Sequence, residues 1–188
     1  MILAGTLFLW AAFVWPNVVQ SQEKPRVRSQ NSEKALPKVF ASVLPQIKAR
    51  SHAPILLPSE LPSPISTAKY AVADELEADK YSVTLFYERQ SETAYFGFAA
   101  FFTAQREPKF NPQELPDVEP VTLAHHLHGF FRAVSCSGSC APANLWWEQN
   151  GVLYQIQLML NANLSDEDQE KTIVAVVDSA ILAGPRRA

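Results

Sequence analysis

The chain has 188 residues, 47% of them hydrophobic, with 14 prolines, 6 glycines and a formal charge of −3. That is enough apolar sequence for one domain with a sizeable core. Its charge is split into a basic arm, with seven basic and two acidic residues between Gln22 and His52, and an acidic body, with seven basic and seventeen acidic residues between Ala53 and Ala183. Phosphate recognition needs dense positive charge on the folded surface, so the acidic body excludes nucleic acid as the partner.

The first fifteen residues, MILAGTLFLWAAFVW, form one apolar run ended by Pro16 and Asn17. A membrane span needs about 20 apolar residues, so this length suits a signal-peptide core better. Val19 and Ser21 are small enough for the −3 and −1 positions of a cleavage site. The expectation is a signal peptide over residues 1–21 and an exported, periplasmic or extracellular protein. Lys24, Arg26 and Arg28 follow the run and no basic residue precedes it. The alternative is therefore an uncleaved anchor over residues 1–19, which would be the only membrane contact. Residues 22–36 are polar and basic and read as a linker, and residues 37–188 as a single domain.

LPKVFASVLPQIKAR places Val39, Phe40, Val43, Leu44 and Ile47 on one helical face, with Pro45 set to kink or split the helix. Pro54, Pro58, Pro62 and Pro64 then make residues 53–64 an extended segment with turns. Strand patterns follow. KYAVADEL is short. YSVTLFYE alternates, with Tyr81, Val83, Leu85 and Tyr87 on one face. TAYFGFAAFFTA is apolar on both faces, as in a central strand. A polar loop over residues 104–120 leads to VTLA and GFFRAVS. In NLWWEQNGVLYQIQLML two strand-forming runs flank Asn150-Gly151, the pair preferred in a two-residue type I′ turn. The last element is a helix capped by Ser165, acidic at Asp166, Glu167 and Asp168, apolar at Ile173, Val176, Val177, Ala180 and Ile181, and ended by Gly184-Pro185. This order predicts an α+β fold: an antiparallel sheet of about five to seven strands packed against an N-terminal and a C-terminal helix.

HHLHGFFRAVSCSGSC, residues 125–140, holds three of the four histidines and both cysteines. Two readings compete. An oxidising compartment favours a disulfide between Cys136 and Cys140 across a small turn. A zinc site, or an enzyme built on one, would draw ligands from His126, His128, Cys136 and Cys140, although the spacing matches no standard finger or ribbon. The histidines otherwise read as a solvated turn, able to gain charge in mild acid. No nucleophile elbow, zinc-protease helix or phosphate-cradling glycine loop is present, so no catalytic residue and no cofactor is assigned. Glu148 beside Trp147 lacks the second carboxylate that glycoside hydrolysis requires. Asn163-Leu164-Ser165 is a glycosylation sequon, relevant only in a host that modifies such sites.

PILLPSELP, YSVTLFYE, a glycine-aromatic strand, LWWEQNGVLYQIQL and a helix ending in VVDSAI follow one another in an order that resembles the domain of unknown function DUF4367. The match falls on Trp147, Gly151, Tyr154 and Ser179 and spans about residues 54–183. The resemblance implies a bacterial envelope protein. Some members of that family are attached to sigma-factor regulators or related to lipoprotein-carrier folds, and the family supplies no catalytic residues. The expected function is a non-enzymatic module that binds an envelope protein or ligand. Tyr95, Phe130, Phe131, Trp146 and Trp147 are the candidate interaction surface. A lipid carrier is the further alternative, and it would need an internal apolar cavity.

Overall fold

The computed structural model describes residues 35–88, 97–107, 111–137 and 139–186. The chain divides into two units, Met1–Ser32 and Glu33–Ala188, and the described residues all belong to the second. The expected leader and most of the expected linker lie outside the described residues, as does Tyr95.

Pro45 divides the first helical pattern. Lys38–Phe40 is a 3-10 turn, and the α-helix α1 (Leu44–Arg50) begins only after its N-cap Val43, with the proline in its first turn. There the missing N–H costs nothing, because first-turn donors have no partner within the helix. The helix is therefore shorter than the apolar stripe, yet Phe40, Val43 and Ile47 all reach the core.

Among the described residues nine strands follow: β1 (Tyr70–Glu77), β2 (Lys80–Phe86), β3 (Phe98–Arg106), β4 (Glu119–Thr122), β5 (His128–Arg132), β6 (Ser135–Ser137), β7 (Ser139–Ala141), β8 (Ala143–Gln149) and β9 (Val152–Leu158). Seven of them form one antiparallel sheet in the order β1-β2-β3-β9-β8-β5-β4, and β6 and β7 pair separately. The α+β class, the antiparallel sheet and the closing helix α2 (Asp166–Ala183) are as the sequence predicts. Asn150 and Gly151 turn between β8 and β9 at φ 54° and 71°, and Gln149 pairs with Val152. Ser165 accepts a hydrogen bond from the Asp168 amide at the start of α2. All five expected apolar positions of that helix are buried.

Register sorts the side chains. Tyr81, Val83 and Leu85 of β2, Phe102 of β3, Tyr154 and Ile156 of β9, Leu145 and Trp147 of β8, and Phe131 of β5 share the face that packs under α1, α2 and the proline-rich segment. That segment has no ladder to satisfy its backbone, and a buried unpaired peptide group is costly. The Tyr81 hydroxyl accepts from the Leu56 amide at 3.0 Å. The Tyr154 hydroxyl donates to the Pro54 carbonyl at 3.1 Å. From the far end of the chain, the Arg186 amide donates to Ile55 and its guanidinium to Leu57, both at 3.0 Å. Strand tyrosines and a C-terminal arginine thus hold the proline-rich segment against the sheet.

Candidate functional site

Cys136 and Cys140 are joined by a disulfide, with S–S 2.09 Å and Cα–Cα 4.1 Å. They face each other across the β6–β7 hairpin. Both sulfurs are thereby spent, and no thiolate remains to ligate a metal. His125 and His126 occupy a 3-10 turn between β4 and β5 with φ near 57°, and His128 opens β5; all three are exposed. The disulfide hairpin follows the other end of β5. The strand alone separates the two groups by about 13 Å at about 3.3 Å per residue. His126 and His128 are therefore not brought together with Cys136 and Cys140. No group of three or more His, Cys, Asp or Glu suited to a metal ion occurs among the described residues.

The histidine turn has a structural tether that its sequence does not reveal. Asp178 of α2 accepts a hydrogen bond from the Ala124 amide at 2.6 Å. Gln169, 1% exposed, does the same for the hairpin: its carbonyl accepts from the Val134 amide at 2.8 Å and its amide donates to Leu164 at 3.0 Å. The disulfide itself closes only residues 136–140. Breaking it by the double change Cys136→Ser and Cys140→Ser is expected to cost about 2 kcal/mol or less, because a short loop has little closure entropy to lose. Urea unfolding with and without reductant checks this. A loss well beyond that value would show that the hairpin is a cooperative part of the core.

The expected interaction residues separate by face. Phe131 and Trp147 are 2% and 1% exposed and belong to the core under the helices. Phe130 and Trp146 point to the opposite, outer face, where they are cross-strand partners. Trp146 is itself buried there, with the Arg132 guanidinium 5.6 Å from its ring. Beside it, Asn144 accepts from the Gln155 amide at 2.8 Å. A turn at Pro112–Glu114 borders a hollow with Phe130 and Leu153 on this half of the outer face.

The other half of the outer face is left uncovered by the described residues. Val72, Asp74, Thr84, Phe86, Phe98, Phe101 and Gln157 line a groove of about 430 Å³ across β1, β2, β3 and β9. Val72 and neighbouring Tyr70 are each 40% exposed, among the most exposed large apolar side chains described. TAYFGFAAFFTA is apolar on both faces for this reason: Ala100 and Phe102 fill the core, while Phe98 and Phe101 line the groove. The signal was present in the sequence, but it read as a doubly covered strand.

A larger cleft of about 720 Å³ lies between the start of α2 and β5, floored by Phe131, Ala133 and Val134. Asp117, Glu119, Asp166, Glu167 and Glu170 stand around it. Glu167 pairs with Lys171 at 2.7 Å, and this ion pair raises the Lys171 pKa. On the core face, burial pushes the Tyr81 and Tyr154 phenols well above the usual tyrosine range. Both are hydrogen-bonded to backbone and serve the fold.

No protein-family model, curated protein or solved structure matches the chain.

Proposed function

We propose that this protein is an exported, non-enzymatic binding module of the bacterial envelope, which takes its partner on the open half of the outer sheet face. The observation that carries this reading is the groove lined by Val72, Thr84, Phe86, Phe98, Phe101 and Gln157. Contiguous apolar surface on a folded domain is costly to leave in water, and where it is rimmed by polar groups it marks an interaction site. Here Asp74, Thr84 and Gln157 supply the polar groups.

Three further features support the reading. The Cys136–Cys140 disulfide fits an oxidising compartment. The apolar run at residues 1–15 has the length of an export signal. The resemblance of residues 54–183 to DUF4367 points to the same compartment. The lipid-carrier alternative finds less support. Between sheet and helices the interior is filled by Trp147, Tyr81, Tyr154, Phe40 and Phe102, each 2% exposed or less.

The test is site-specific photo-crosslinking in the envelope of the source cell. A photo-reactive residue replaces Val72 in one variant and Leu182, the 56%-exposed leucine on α2, in the other. The expected result is a discrete adduct of higher mass from position 72 and none from position 182. Equal labelling at both positions, or labelling at neither, overturns the proposal.

A further inference from the structure

We propose that the partner is an extended peptide that adds to the sheet as a new strand along the free edge of β1, with a basic side chain against Asp74 and Glu77 and an apolar one over the groove. This deepens the binding reading above and rests on it.

Among the described residues the seven-stranded open sheet has two edges, β1 and β4. An edge strand presents unpaired N–H and C=O groups, and proteins commonly block such edges with short strands, prolines, bulges or charges. The β4 edge is blocked by both length and chemistry, with four residues, Glu119–Thr122, and Pro120 among them. β1 is twice as long and has no proline. Its register with β2 is unbroken from Tyr70 to Asp74, and only then shifts, between Asp74 and Glu77, where Glu75 takes a φ of 48°. Five consecutive residues therefore offer a regular template, and the bulge ends it on one side.

The side chains on that template identify the occupant. Tyr70, Val72 and Asp74 alternate onto the outer face, while Ala71 and Ala73 turn inward. An added strand lies about 4.8 Å from β1, and directly opposed side chains meet at about 5 Å. The residue opposite Val72 stands at the lip of the groove formed with Thr84, Phe86, Phe98 and Phe101. A long apolar or aromatic side chain there covers Val72 and enters the groove. Opposite Asp74 the requirement changes sign. Asp74, Glu75 and Glu77 are all exposed. Glu75 is paired with Lys80, and nearby Asp79 with Arg106. Glu77 stands directly opposite Lys80 in the register, but the Lys80 ammonium pairs with Glu75, so Asp74 and Glu77 make no ion pair among the described residues. A Lys or Arg on the incoming strand supplies one.

Charge also decides against a second copy of this chain. Parallel pairing of β1 with β1 would set the same carboxylates side by side, where like charges repel, and antiparallel pairing over Tyr70–Asp74 would set Asp74 against Tyr70 and supply it no basic partner. A peptide that alternates apolar and basic residues satisfies the backbone edge, the groove and the carboxylates together. This is the chemistry of strand addition, in which main-chain hydrogen bonds supply affinity and alternate side-chain sites supply specificity.

The experiment uses the full chain and a blocked, fluorescein-tagged heptapeptide in which Val and Phe alternate with Arg. Binding is read by fluorescence anisotropy and by hydrogen exchange of the β1 amides. The Arg peptide is expected to bind and to protect Tyr70–Asp74. The double variant Asp74→Asn, Glu77→Gln weakens it about tenfold, on the scale of two partly exposed ion pairs. Glu167→Gln with Glu170→Gln, which removes equal charge from the α2 cleft, leaves binding unchanged. Alternate N-methylation of the peptide backbone, in the frame that faces β1, weakens binding by about tenfold or more, since it removes several main-chain hydrogen bonds.

Each of the following results overturns the proposal. Equal binding of the N-methylated peptide means that side chains alone occupy the groove. An equal loss from the α2-cleft variant means that net charge alone attracts the peptide. Self-association through β1, seen by sedimentation without peptide, makes a second copy the occupant. Absence of peptide binding together with a clean adduct from position 72 refutes strand addition and leaves the groove as a binding site. Failure of both measurements removes the groove as well.

Discussion

Above pH 10 the folded protein is expected to lose about 2.7 kcal/mol of stability per pH unit, about 1.4 from each of two buried tyrosines. Burial raises the Tyr81 pKa furthest, with the neighbouring Tyr154 phenol adding to it, and burial likewise raises Tyr154. An unfolded tyrosine ionises near about pH 10. Beyond that point the unfolded state sheds protons that the native state keeps, so stability falls as pH rises. It continues to fall until the native phenols ionise in turn. Below the unfolded value the contribution is fully present and flat.

Tyr81→Phe separates two parts of this. At neutral pH it is expected to cost about 1–3 kcal/mol, because the Leu56 amide and carbonyl lose the hydroxyl that satisfies them inside the core. In alkali the slope is expected to fall by about half, since one of the two most strongly suppressed ionisations is gone. Urea unfolding at a series of pH values from neutral to about pH 11.5 measures both, across the range where free phenols titrate. An unchanged alkaline slope in the variant would show that other groups govern the limb.

The largest single-site loss is expected at Trp147. Trp147→Ala should destabilise by about 3–5 kcal/mol, the usual range for emptying a large aromatic site. The indole is 1% exposed and stacks on Tyr154 at 5.1 Å and 18°. Tyr154 in turn holds the carbonyl of Pro54. The cavity would therefore loosen the contact between the sheet and the proline-rich segment. Trp147→Phe should cost much less. The indole N–H is buried without a hydrogen-bond partner among the described residues. Removing it recovers about 1–3 kcal/mol of desolvation, which offsets part of the lost volume. Chemical denaturation of both variants checks the ratio. Equal losses would mean that the indole N–H carries weight in the native state.

Several elements were legible because their signals are short-ranged. Asn150-Gly151 makes its turn through backbone preferences of two residues. Ser165 and the acidic first turn mark the start of α2 before any contact is known. Cys136 and Cys140 are close enough in sequence for the small turn between them to bring their sulfurs together. The N-terminal helix was legible in its buried face but not its length, because the proline at position 45 fits only the first turn of a helix. GFFRAVS was legible as a strand but not in its end. β5 stops at Arg132, and Ser135 belongs instead to the disulfide hairpin.

The interaction surface was less legible. Alternation shows that Phe130 and Phe131, or Trp146 and Trp147, point to opposite faces of a strand. It does not say which face the helices will cover. Register across five neighbouring strands decided that, and it sent Phe131 and Trp147 inward. The groove has the same origin. Val72, Thr84, Phe86, Phe98 and Phe101 come from three strands and meet only when β1, β2 and β3 are aligned.

By itself the sequence determined the α+β class, the Asn150-Gly151 hairpin, the closing helix and the acidic body. Each of these is set by preferences acting over a few residues or by composition. Only the tertiary structure decided which sheet face stays open, which edge is blocked, and how the proline-rich segment is held. Those outcomes depend on contacts between residues far apart in the chain, such as Arg186 with Leu57 and Tyr154 with Pro54. No local preference encodes such contacts. They form because each buried polar group must find a partner once the apolar faces have closed.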